Sequence, residues 1–82
     1  MTVVTLYGRP GCHLCIEARD GLEALRGRAA AFTLREIDIE GDDELHRRLL
    51  ERIPVVEVDG EIACEVFFEQ DAVLARIGTL SA

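Results

Sequence analysis

Apolar positions along the chain switch between strand spacing and helix spacing, and the switches divide it into seven short elements. Val3 to Tyr7 is a β-branched and aromatic run halted by Gly8, Pro10 and Gly11, which predicts a buried strand followed by a loop. From about His13 to Arg26, Leu14, Ala18, Leu22 and Leu25 recur at intervals of three or four, with Glu17, Arg19, Asp20, Glu23 and Arg26 on other faces. That spacing predicts an amphipathic helix, with Gly27 as its C-terminal cap. Gly21 inside it costs roughly 1 kcal/mol relative to alanine, which points to close packing at that position.

Ala31 to Ile39 predicts a second strand through Phe32, Leu34, Ile37 and Ile39, and the change of parity near Glu36 points to a bulge there. Gly41-Asp42-Asp43 supplies a turn with acidic residues suited to capping a helix that carries Leu45, Leu49 and Leu50 and runs to about Arg52. Ile53-Pro54 breaks that helix. Val55 to Val58 and Glu61 to Val66 then flank Asp59-Gly60, a strong hairpin signal, and Ile62, Cys64 and Val66 alternate as if sharing one face. Val73, Leu74, Ile77 and Leu80 predict a final helix over about Glu69 to Leu80.

The order is βαβαββα. Strands joined through a helix run parallel in one sheet and the hairpin is antiparallel, so the expected fold is α/β, a mixed four-stranded sheet with helices on both faces. In open α/β sheets the loops at the carboxyl ends of strands carry the chemistry, and the loop after Tyr7 holds Cys12 and Cys15.

Length and charge narrow the function. The 82 residues suit one small domain, over residues 1–82, with a single modest core. Nine basic residues, all arginine, stand against sixteen acidic ones, and the net charge of −7 repels phosphate backbones and anionic lipid surfaces. Nucleic acid and membrane are therefore not expected partners, and a single copy of the chain is the expected state. Met1 to Tyr7 has neither a basic leader nor a long apolar stretch, so cytoplasmic residence is the expectation. There, thiols stay reduced unless they serve redox or metal chemistry, and three cysteines are too few and too odd in number for a disulfide scaffold.

Cys12-His13-Leu14-Cys15 falls at the junction of a predicted strand, loop and helix. At the helix start, free N–H groups and the positive end of the helix dipole stabilise a thiolate, so Cys12 is the expected nucleophile with a depressed pKa. Cys15, one turn on, is placed to close a disulfide with Cys12 and act as the resolving thiol. The competing reading is metal: Cys12, His13 and Cys15 are all ligand types, and Cys64 or His46 is the available fourth. Neither of those forms a second tight pair, and Ile16 after Cys15 stands where covalent haem attachment needs a histidine.

Tyr7-Gly8-Arg9-Pro10-Gly11-Cys12-His13-Leu14-Cys15, followed by Ile53-Pro54-Val55-Val56 and Asp59-Gly60, resembles the glutaredoxins, and more narrowly the small bacterial glutaredoxin-like group. The resemblance spans Val3 to Leu80 in element order. It implies a thioredoxin fold, Pro54 as a cis-proline facing the two cysteines, and thiol-disulfide oxidoreductase activity on protein disulfides or glutathione adducts, with no bound cofactor. Glutathione or a thioredoxin reductase would supply electrons, the latter as for the glutaredoxin-like donors to ribonucleotide reductase. An iron-sulfur or metal-binding module using Cys12 is the alternative.

Several residues bear on the substrate. Glutathione-binding members carry Gly-Gly and then an acidic residue before the last helix, where this chain reads Ile62-Ala63-Cys64-Glu65-Val66-Phe67-Phe68. The missing glycines predict weak glutathione binding, and Glu65 is expected to repel its γ-glutamyl carboxylate. Arg9 matches the family's basic position, suited to a substrate carboxylate or to the Cys12 thiolate, or it is a solvated loop charge. The backbone of Ile53 beside Pro54 is the expected docking point for an extended substrate. Cys64 reads as core, with a peroxide-sensitive or partner-binding thiol as the other reading.

Overall fold

The computed structural model describes residues 2–78, and the predicted end of the last helix at Leu80 lies outside them. Strand β1 (Thr2–Gly8), helix α1 (His13–Ala24), strand β2 (Phe32–Asp38), helix α2 (Asp43–Leu49), strands β3 (Val55–Val58) and β4 (Glu61–Glu65) and helix α3 (Gln70–Ile77) follow one another as the hydrophobic pattern predicts. The sheet order is β2-β1-β3-β4. β1 pairs parallel with β2 and antiparallel with β3, and β3 pairs antiparallel with β4.

Alternation across this sheet divides the buried residues into two clusters. Val4, Leu6, Phe32, Val56, Val58 and Cys64 pack with Ala18, Leu22 and Leu25 of the first helical segment and Val73, Leu74 and Ile77 of α3. The second cluster joins Ile39, Leu49, Ile53 and Val55 to Cys15, with Tyr7, Cys12 and Leu45 against it. Helices therefore cover both faces, and the two cysteines sit where the α2-side core meets the carboxyl end of β1.

Local chemistry explains the boundaries. Asp42 caps α2 by accepting hydrogen bonds from the N–H groups of Glu44 and Leu45 at 2.9 and 3.1 Å. Asp59 (φ 51°) and Gly60 (φ 87°) both lie in the left-handed region, as a tight hairpin with the right twist requires. Asp59 also accepts from the Val3 N–H through Oδ1 at 2.9 Å, which ties the turn to β1. The packing expected at Gly21 is there: the Phe68 ring lies so close that a Cβ on Gly21 would stand 2.6 Å from its Cδ2.

Three local expectations are corrected. α1 ends at Ala24 and passes into a 3-10 turn over Leu25–Gly27, so Gly27 closes a tighter turn and is no left-handed cap. The β1–β2 register runs without a shift from Thr2↔Phe32 to Gly8↔Asp38, so there is no bulge at Glu36. The parity change instead moves the apolar side chains of this edge strand from the α1 face at Phe32 and Leu34 to the α2 side by Ile39. The irregularity lies in the hairpin, where Val56 opposes Cys64 but Glu57 opposes Ile62. The extra residue, Ala63, breaks the alternation, so Cys64 is buried and Ile62 is exposed.

Candidate functional site

Gly11 adopts φ 77°, which turns the loop after β1 into α1 and sets Cys12 at the N-cap in extended conformation. Cys12 and Cys15 are joined by a disulfide, their Cα atoms 5.2 Å apart. The Cys15 N–H donates to Cys12 Sγ at 3.2 Å, and the first turn of α1 carries no acidic side chain to offset the dipole there. Cys12 is half-buried, while Cys15 is only 7% exposed. Gly8 permits that burial: a Cβ at Gly8 would lie 3.1 Å from both Cβ and Sγ of Cys15.

The Ile53-Pro54 peptide bond is cis, and Pro54 is fully buried between Ile53 and Val55, both in the cluster that holds Cys15. The Ile53 N–H donates to the Leu49 carbonyl at 3.0 Å, so this amide closes the end of α2. Arg9 is exposed on the loop and lines a cleft with Cys15, apart from the Pro54 side. Cys12, Cys15 and Ile53 thus share one cluster, with Pro54 next to Ile53 in the chain, and Arg9 lines the cleft beside Cys15.

Three features of the site carry no sequence signal of their own. The Tyr7 hydroxyl donates to Glu57 Oε1 at 3.2 Å; burial, and then the Glu57 charge, push the Tyr7 pKa up. Arg52, just ahead of the cis bond, forms an ion pair with Glu65 at the end of β4. This corrects the expectation for Glu65, whose charge is held by a neighbouring cation and does not stand free against a substrate carboxylate. Val66 has φ 68°, and the Phe67 N–H returns to the Glu65 carbonyl at 2.7 Å, a γ-turn centred on a β-branched residue in the left-handed region. The Val66 N–H donates to the carbonyls of Pro54 at 2.9 Å and Arg52 at 3.0 Å. These two bonds hold the strained turn directly against the proline loop.

Among the described residues, no group of three or more His, Cys, Asp and Glu side chains converges as a metal cluster would require. Cys64, offered above as a ligand, lies in the core between the sheet and the α1/α3 layer, and its burial raises its pKa.

The family model described as a glutaredoxin-like domain (DUF836) matches residues 3–78. The chain belongs to the glutaredoxin-like family. A glutaredoxin of Haemophilus influenzae is 41% identical over 39 residues, and one of Vibrio cholerae is 36% identical over 39 residues. Each match covers 48% of this glutaredoxin-like chain and 45% of the relative, so it spans a little under half the length of the curated relatives it matches. The solution structure of protein Ne2328 from Nitrosomonas europaea superimposes with a TM-score of 0.82 at 32% identity, covering 94% of this chain and 92% of that one. An X. campestris structure gives a TM-score of 0.70 at 32% identity, with 88% and 91% covered. The thioredoxin-like protein BC3987, at 21% identity and a TM-score of 0.65 with 92% and 99% covered, shares the fold. The fold is that of thioredoxin, and among the described residues of this glutaredoxin-like chain no helix is long and apolar enough to cross a membrane.

Proposed function

We propose that this glutaredoxin-like chain reduces disulfides with Cys12 as nucleophile and Cys15 as resolving thiol. The observation that carries the reading is the asymmetry of the pair: Cys12 Sγ has a backbone N–H directed at it and Cys12 is the more exposed residue, while Cys15 is buried. In the reduced protein the Cys12 thiolate attacks one sulfur of a substrate disulfide, forms a mixed disulfide and expels the other sulfur as a thiolate. Cys15, having lost its proton, then attacks Cys12 Sγ, releases the second substrate thiolate and leaves the Cys12–Cys15 disulfide. Two electrons pass to the substrate, and an external thiol or reductase returns them.

Protein disulfides are the substrates this site favours. The Ile53 carbonyl is the docking group, since the Ile53 N–H is spent on Leu49. Glutathione is a weak reductant here because the stretch Ile62 to Phe68 lacks the glycines that would let its backbone approach closely. Arg9 is exposed enough to meet a substrate carboxylate. The test is a single-turnover reaction of the fully reduced protein with a peptide disulfide. One equivalent of substrate should be reduced as the protein loses two hydrogens in mass; reduction no faster than by an equal concentration of dithiothreitol would overturn the proposal.

A further inference from the structure

A cleft of about 410 Å³ is lined by Cys15 and by neither Cys12 nor Pro54. Such a volume falls within the roughly 300–1,000 Å³ of ligand-binding clefts. Its walls carry opposite charges: Arg9 and Arg19 come from the loop and α1, Glu36 and Asp38 from β2, with exposed Ile16 beside Cys15 at the base. Among the described residues no ion pair spans it. Arg19 approaches Asp20 on its own helix at 3.9 Å, and Asp38 accepts the Glu40 N–H at 2.8 Å.

β2 is an edge strand, with no strand beyond it among the described residues. The beginning of its outer edge is covered by Arg26, which donates to the Phe32 carbonyl at 3.3 Å and lies over the Phe32 ring at 4.9 Å. Backbone groups alternate sides along a strand, so those of Leu34 and Glu36 share this outer edge with Phe32. Glu36 also lines the cleft, together with its register partner Leu6 on β1.

We infer that the cleft docks an extended segment of the disulfide-bearing protein partner. The segment adds its backbone to the β2 edge near Glu36, sets an acidic side chain against Arg9 and Arg19, and sets a basic one against Glu36 and Asp38. An extended chain advances about 3.3 Å per residue. With the Cα atoms of Cys12 and Cys15 5.2 Å apart, a cysteine bound at Cys12 delivers side chains a few positions along into the cleft. The inference rests on the redox reading and gives it a sequence preference set at a surface that Pro54 does not line.

The experiment uses the oxidised full chain and a blocked, cysteine-free hexapeptide carrying one glutamate and one lysine, with a glutamine-for-both twin as control. In ¹⁵N-resolved spectra the charged peptide should shift the amides of Ile16, Arg19, Glu36 and Ile37, and bind about threefold or more tightly than the twin at low salt, the range of exposed ion pairs. Arg19→Glu and Glu36→Arg should each remove that preference. Versions of both peptides extended by one cysteine, held in a disulfide, serve as substrates: the charged one should show the lower KM with wild-type protein and equal the twin with either variant. Equal shifts from both peptides, or shifts confined to the Pro54 side, would overturn the inference. Absence of turnover with intact amide shifts would count against the redox reading and leave the docking surface standing.

Discussion

The backbone N–H of Cys15 points at Cys12 Sγ across 3.2 Å, and this one contact makes the two cysteines unequal. When the disulfide opens, negative charge on Cys12 inherits a donor and the start of a helix whose first turn has no acidic residue. Cys15, 7% exposed and pressed against Gly8, has no comparable access to solvent.

The turn at Val66 stores strain that a glycine would release. A β-branched residue in the left-handed region costs on the order of 1–3 kcal/mol, against about 0.5–1 kcal/mol of added chain entropy for glycine. Val66→Gly is therefore expected to raise stability by about 1 kcal/mol in urea unfolding, and to increase glutathione-dependent turnover by opening the backbone beside Pro54. A loss of more than about 1 kcal/mol would show that the Val66 side chain, and not its backbone, matters there.

Gly21→Ala has two opposing effects. Helix propensity favours alanine by about 1 kcal/mol, but the new Cβ would lie 2.6 Å from Cδ2 of Phe68. Overpacking of this kind costs about 1–3 kcal/mol, so the variant should be net destabilised in thermal or urea unfolding. A gain in stability would mean that the loop carrying Phe68 yields freely.

Alkaline pH should weaken the fold through Cys64 and Tyr7. Burial raises the Cys64 thiol above its ordinary value of 9.0, and burial followed by Glu57 raises Tyr7 above 10.0. The folded state therefore holds these protons more tightly than the unfolded one. The stability they contribute is complete below the ordinary values and is lost as pH rises through the folded ones. Urea midpoints should fall from about pH 9 upward, and Cys64→Ala should reduce that slope; an unchanged slope would exclude Cys64 as a source. At neutral pH the Cys64 thiol should resist alkylation until the protein is unfolded.

Much of this was legible in residue order. Glycine or proline lies at every junction but the one between β4 and α3, Asp59-Gly60 specifies its turn, and Cys12 to Cys15 at a strand-to-helix junction points to the chemistry without any tertiary information. What escaped depended on contacts between distant segments. The bulge at Ala63 reads as plain alternation until β3 is laid beside it, and alternation alone puts Ile62 on the face of Cys64. The ion pair of Arg52 with Glu65 joins residues on either side of a hairpin, and a valine gives no hint of a left-handed conformation. Gly8 reads as a strand terminator, yet its missing side chain is what makes room for Cys15.

The most direct test compares Cys12→Ser and Cys15→Ser after each is mixed with a peptide disulfide and analysed by intact mass. Cys15→Ser should accumulate one peptide adduct, mapped to Cys12. Cys12→Ser should accumulate little adduct. Equal trapping by both variants, or an adduct mapped to Cys15 in the Cys12→Ser protein at comparable rate, would contradict the assignment of Cys12 as the nucleophile.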